Sequence, residues 1–299
     1  MTDKALFIHD GLLGYVPNPG FRGSGYGDSF HTIDPAGLRF HRERPISSEG
    51  PILAVGDSFT YGDEVSDQET WPAQLQRLTG HPVLNGGVTG YGFDQIVLRT
   101  EQLAAAHTPP IIIVGFIADD IPRTEMSCMW WRNKPWFAIE DDQLVLKGVP
   151  VPSRPRRPPR ILRRMEGFLL ELPRSLQQFV GYHRRVHPAG FGLSIAQRLT
   201  GRLARLQADR HAKIVMMAQY TRPVWDNMRA ANHERRLTQA LLNCAATNGL
   251  ATLDTFQRLA TEPKPQDFYG HAHMNARGNL AIASLLAATL PALLEKASS

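Results

Sequence analysis

Residues 51–62 read PILAVGDSFTYG, and the architecture follows from this stretch. The apolar run at 51–55 ends at Gly56, and from 70 to 78 Trp71, Leu75 and Leu78 return at helical spacing. A strand, a loop and a helix therefore follow one another, with Ser58 just past the strand's carboxyl end. A hydroxyl there sits among free backbone N–H groups near a helix N-terminus, which suits a nucleophile whose attack creates an oxyanion. Gly-Asp-Ser is also a common turn, and in that reading Ser58 only caps the helix.

The same alternation continues downstream. A short strand at 82–84, a glycine-rich loop at 86–92 and a helix from about 94 to 106 form a second unit. The unbroken β-branched run at 111–114, preceded by two prolines, reads as a strand buried on both faces. A fourth strand is expected at 214–217 and a helix at 232–247, where Leu237, Leu241 and Leu242 share a face. A fifth strand at 250–253 precedes a closing helix from about 275 to 294. Strands alternating with helices imply right-handed crossovers and a parallel sheet covered on both faces. The expected fold is α/β, a flavodoxin-like three-layer α/β/α sandwich with a parallel five-stranded sheet. Reactive groups in such folds gather at the carboxyl ends of the strands, beside the switch in strand order.

With 299 residues and 42% hydrophobic composition, one domain over 1–299 with a substantial core is the simplest reading. Residues 1–50 read as a turn-rich extension, and 150–195 as a basic helical insertion entered through a Pro/Arg-rich connector. No window approaches the roughly 18–20 uninterrupted apolar residues of a membrane span. No secretory signal is evident at 1–10, so a cytoplasmic location is expected. Cys128 and Cys244 lack any ligand or disulfide spacing and read as inert core thiols. Neither cofactor nor metal is indicated. The formal charge of +5 is concentrated at 154–185, where Arg154, Arg156, Arg157, Arg160, Arg163 and Arg164 stand beside several leucines and phenylalanines. That mixture suits an anionic or membrane surface, or else a hairpin whose leucines pack inward while its arginines stay solvated. No nucleic-acid motif accompanies the arginines, and no nucleic-acid partner is expected.

Three further blocks carry chemistry. NGGVTGYG at 85–92 brings bare backbone N–H groups against a ligand, because glycine has no side chain and tolerates positive φ. GFIADD at 115–120 projects Asp119 and Asp120 from the end of the central strand. DFYGHAHMNARGN at 267–279 offers Asp267, His271 and His273 just before the last helix. His271 and His273 lack a third neighbouring ligand, which disfavours zinc.

In this order, GDSFTYG, NGGVTG, GFIADD and HMNARG resemble the four blocks of the SGNH (GDSL-like) hydrolase superfamily, from about residue 51 to the C-terminus. The resemblance implies Ser58 as nucleophile and His273 as its base, with the backbone N–H groups of Ser58 and Gly90 as oxyanion donors. It also implies an esterase acting on acetylated sugars, lipids or thioesters. Two positions depart from the family. Its oxyanion-hole asparagine is Asp119 here, which accepts but cannot donate when ionised; one lost donor costs roughly 3–4 kcal/mol of transition-state stabilisation. Its acid, three residues before the histidine, is Gly270 here. Asp267 is then the candidate acid, with a Ser-His dyad or His271 as base kept as alternatives. The readings are a serine esterase, an acyltransferase using the same site, and a non-catalytic carbohydrate- or lipid-binding module. A membrane scaffold working through the basic insertion is a further one. Trp130, Trp131 and Trp136 belong either to the core or to a pocket wall.

Overall fold

The structure, a computed structural model, describes residues 5–41, 50–153, 176 and 182–296. The six arginines from Arg154 to Arg164 lie outside the described residues, as does most of the stretch read as a basic insertion.

The chain opens with two antiparallel hairpins, β1 (Phe7–Asp10) with β2 (Gly14–Pro17) and β3 (Arg22–Ser24) with β4 (Phe30–Thr32). Only turns were expected here. Strands of three or four residues are too short to display alternation, so the turn residues dominated the sequence pattern. Next come β5 (Ile52–Val55), α1 (Ser58–Tyr61), α2 (Trp71–Thr79), β6 (Val83–Asn85), α3 (Phe93–His107), β7 (Ile111–Phe116) and α4 (Asp120–Arg123). An excursion follows through β8 (Met126–Met129), β9 (Arg132–Asn133), the hairpin β10 (Trp136–Glu140) and β11 (Gln143–Lys147), and β12 (His183–Arg185). The α/β alternation then resumes with α5 (Gly192–Arg210), β13 (Lys213–Ala218), α6 (Pro223–Asp226), α7 (Met228–Thr247), β14 (Ala251–Asp254), α8 (Phe256–Ala260) and α9 (Ala276–Lys296).

The central sheet is parallel throughout, in the order β14-β13-β7-β5-β6. Counted along the chain this is 2-1-3-4-5, the flavodoxin-like order, with its switch between β5 and β7. Alternation along the strands decides the layers. Leu53, Val55, Ile112, Val114, Ile214 and Met216 face α3, α5 and α7, while Ile52, Ala54, Ile113, Val215 and Met217 face α2 and α9. Burying one such aliphatic side chain is worth roughly 1.5–3 kcal/mol, against a spread of about 1 kcal/mol in strand propensity. Burial therefore sets which way each residue points, and a one-residue slip in register would reverse it for a whole strand. The expected three-layer sandwich is observed, with strand and helix ends moved by a few residues.

Helix α5 was not anticipated. Ile195, Leu199 and Leu203 recur every four residues and are fully buried, but the basic insertion was expected to end at 195 and no element was expected between there and the strand at 214. Cys128 is buried and Cys244 half-buried, and neither forms a disulfide. No described helix is long and apolar enough to cross a membrane.

One buried ion pair ties the excursion after α4 to the main layers. Lys134 Nζ donates to Asp94 Oδ2 on α3 at 2.5 Å, to Pro135 O at 2.9 Å and to Met126 O at 3.1 Å. All three ammonium donors are used. Burial pulls the lysine pKa down and the aspartate pKa up, and their mutual attraction opposes both shifts. Lys134→Met leaves the Asp94 carboxylate buried and uncompensated, at an expected cost of about 3–5 kcal/mol. Urea denaturation checks this; a loss below about 1 kcal/mol would show the pair to be dispensable.

Candidate active site

Backbone crowding shapes the turn after β5. A Cβ on Gly56 would lie 2.2 Å from Thr60 Oγ1 and 2.8 Å from Gly115 O, so only glycine lets β5 run into α1 at that angle. Asp57 caps the helix by accepting from Phe59 N at 3.0 Å, which leaves Ser58 as its first residue, facing the strand ends. Gly62, at φ +83°, ends the helix and turns the chain so that Asp63 and Glu64 come back beside Ser58. The buried Arg39 holds this return in place, donating to Tyr61 O at 3.2 Å, Gly62 O at 3.1 Å and Val65 O at 2.8 Å.

His273 arrives on the loop before α9. Its Nε2 lies 2.9 Å from Ser58 Oγ and its Nδ1 lies 3.1 Å from Glu64 Oε1. The tautomer with the proton on Nδ1 fits both contacts, leaving Nε2 free to accept the serine proton. Glu64 also accepts from His271 N at 2.7 Å and Ala272 N at 2.9 Å. Burial pushes the Glu64 pKa up, but those N–H groups and the imidazole outweigh it and hold the carboxylate below the ordinary glutamate value. A Cβ at Gly270 would stand 2.5 Å from Glu64 Oε2. Glycine at 270 is thus the space that the Glu64 carboxylate fills.

A second acid flanks the ring. Asp63 Oδ2 lies 3.9 Å from His273 Nε2, and Asp63 Oδ1 accepts from Thr89 Oγ1 at 2.5 Å. Burial lifts Asp63 to about 6, opposed by His273 and Thr89. Behind Ser58, Arg123 Nη1 donates to Asp120 Oδ1 at 2.6 Å and to Tyr91 O at 2.9 Å, and stands 3.7 Å from Asp57 Oδ2. Burial raises the pKa of both aspartates, Asp120 most, and the guanidinium between them opposes that rise without cancelling it.

The loop at 85–92 is pinned to the turn after β5 by Val88 N donating to Gly56 O at 3.0 Å. Gly90 has φ +74°, and a Cβ there would lie 2.6 Å from Trp130 Cζ3, so Trp130 forms the wall behind that loop. The N–H groups of Ser58 and Gly90 have no acceptor among the described residues. Asp119 is exposed at the start of α4 and lines the same cleft, of about 370 Å³, as Ser58, His273, Arg123 and Arg222. Among the described residues no group of side chains is arranged to hold a metal ion.

The sequence matches the GDSL-like Lipase/Acylhydrolase family over residues 54–281. The chain belongs to this family. Membership makes it an ester-hydrolysing enzyme. Its fold is also that of the lipase/acylhydrolase from Enterococcus faecalis, at 12% identity and a TM-score of 0.50, covering 81% of this chain and 95% of that one. A second structure of the same fold is LAE5, described as an alpha/beta hydrolase enzyme from the metagenome of Lake Arreo, Spain. It is 14% identical with a TM-score of 0.50, covering 83% of this chain and 98% of that one. No curated protein matches the sequence.

For this GDSL-like chain, Ser58, His273 and Asp119 line one cleft, and Gly90 lies in the loop that Val88 N holds against Gly56 O. The structure does not bring Asp267 there. Asp267 is exposed on a short turn, where its backbone O accepts from Asn275 Nδ2 at 2.9 Å, and the carboxylate on His273 Nδ1 is Glu64 instead. His271 is exposed, lines the cleft, and donates its backbone N–H to Glu64. Glu64 went unnoticed because 209 positions separate it from the ring it touches. The signal available was the acidic pair Asp63-Glu64 directly after the glycine that ends α1.

Proposed function

We propose that this enzyme hydrolyses small O-acyl or thioester substrates through an acyl-serine at Ser58. The reading rests on the continuous relay Ser58 Oγ, His273 and Glu64 at the floor of the cleft. As the Ser58 oxygen attacks the ester carbonyl carbon, its proton passes to His273 Nε2, and Glu64 stabilises the imidazolium that forms. The carbonyl oxygen becomes an oxyanion facing the N–H groups of Ser58 and Gly90. Collapse breaks the acyl–oxygen or acyl–sulfur bond, and the imidazolium returns the proton to the departing alcohol or thiol. Water, deprotonated by the same ring, then releases the carboxylic acid and restores Ser58.

The size and walls of the cleft favour a short acyl group on a polar carrier such as a sugar. Phe59, Ile117 and Pro223 supply apolar lining, and Arg123, Arg222, Asp119 and Asp226 supply charge. A p-nitrophenyl alkylphosphonate, which mimics the tetrahedral intermediate, should add once per chain and on Ser58, read by intact mass and peptide mapping. Absence of an adduct, or an adduct elsewhere, would overturn the acyl-serine reading.

Asp119 stands where a donor would help most. Asp119→Asn should raise kcat on p-nitrophenyl acetate by about tenfold to 100-fold, because a neutral amide replaces a group unable to donate. An unchanged or lower kcat would mean that Asp119 serves the native substrate rather than opposing the oxyanion.

A further inference from the structure

A second cleft, of about 400 Å³, lies under the first hairpin and shares no lining residue with the cleft around Ser58. Phe7, Tyr15, Tyr26, Arg132 and Pro152 line it. Its geometry is tightly set. A Cβ on Gly14, which has φ +86°, would meet Asn133 O at 2.2 Å, so β2 lies directly on β9 and fixes Arg132 against the hairpin. The guanidinium carbon of Arg132 is 4.6 Å from the Tyr15 ring centre and 4.9 Å from that of Phe7.

Arg132 is the only basic side chain among the described lining residues apart from His9, whose Nε2 is 2.8 Å from Val151 O. Among the described residues no carboxylate pairs with Arg132. Cation–π attraction to two rings orients the guanidinium, and among the described residues its N–H donors meet no carboxylate. A half-buried guanidinium with no counter-ion among the described residues has given up part of its hydration, and an anion presented to its planar fork restores that loss.

We propose that this cleft binds a small organic anion, with its carboxylate or phosphate on Arg132 and a flat apolar body against Phe7, Tyr15 and Pro152. The placement also gives an occupant a route to the catalytic loop. Tyr15, whose ring borders the cleft, donates through its hydroxyl to Thr89 O at 2.8 Å, one residue before Gly90.

Isothermal titration at low ionic strength with benzoate, phenyl phosphate and inorganic phosphate tests the site in wild type, Ser58→Ala, Arg132→Gln and Arg132→Lys. The expected result is one-site binding of benzoate or phenyl phosphate, equal in wild type and Ser58→Ala. Affinity should fall at least tenfold in Arg132→Gln and by less in Arg132→Lys, with thermal melts showing both variants folded. Equal affinity in wild type and a folded Arg132→Gln would overturn the proposal, as would an absence of saturable binding. Loss of binding in Ser58→Ala would place the ligand in the catalytic cleft instead. Inorganic phosphate binding as tightly as phenyl phosphate would remove the apolar half of the assignment.

Discussion

Ser58→Ala is expected to lower kcat/KM on p-nitrophenyl acetate by about 10³-fold to 10⁶-fold, the range seen when a triad nucleophile is removed. The substitution deletes the one atom that would form the acyl bond in the proposed mechanism and leaves everything around it in place. The cap of α1 comes from the Asp57 side chain accepting Phe59 N, so alanine at 58 keeps the helix and its backbone N–H. Any residual turnover would come from the oxyanion donors and from water activated by His273. Thermal melting should match wild type to within a few degrees, which separates lost chemistry from lost fold. A loss smaller than about tenfold with the fold intact would remove Ser58 from the mechanism and return the binding-module reading.

Glu64→Gln is expected to lower kcat by about 10²-fold to 10⁴-fold with KM little changed, because the carboxylate sets the ring's tautomer and stabilises its charged form. An amide can turn its NH₂ toward Nδ1, which favours the proton on Nε2 and removes the base from Ser58. Asp267→Asn should stay within about twofold of wild type, since Asp267 is exposed and its place in the site is taken by Glu64. Parallel kinetics of the two variants give a direct reading. If Asp267→Asn proved the damaging change and Glu64→Gln the silent one, the relay drawn here would be wrong. Gly270→Asp offers a further contrast: its Cβ would intrude to 2.5 Å from Glu64 Oε2, so an acid at 270 should impair a chain that already carries Glu64.

The unequal legibility of the site has a physical basis. Ser58, Gly90 and Asp119 each follow a parallel strand, and strand, loop and helix periodicity locates such loops from local sequence. His273 precedes the last helix and is legible in the same way. Glu64 belongs to no such junction. Its position depends on Gly62 reversing the chain, on Arg39 binding three carbonyls of the return, and on the histidine loop offering two N–H groups. Those are contacts across the fold, invisible to any window along the chain. Helix α5 was obscured differently, because its arginines shared a window with the leucines and isoleucine that it buries.

By itself the sequence determined the layer order, because burial of alternating aliphatic residues is a local property that summation along each strand preserves. Through its resemblance to the four family blocks it also pointed to Ser58, Gly90 and His273 as candidate site residues, and Ser58 and His273 do lie in contact. Tertiary structure alone decided which carboxylate meets the histidine and which wall backs the loop carrying Gly90. It also decided that Arg132 faces a cleft without a carboxylate partner among the described residues. Each of these depends on distances of a few ångströms between segments tens to hundreds of residues apart, and at that range packing, not pattern, sets the geometry.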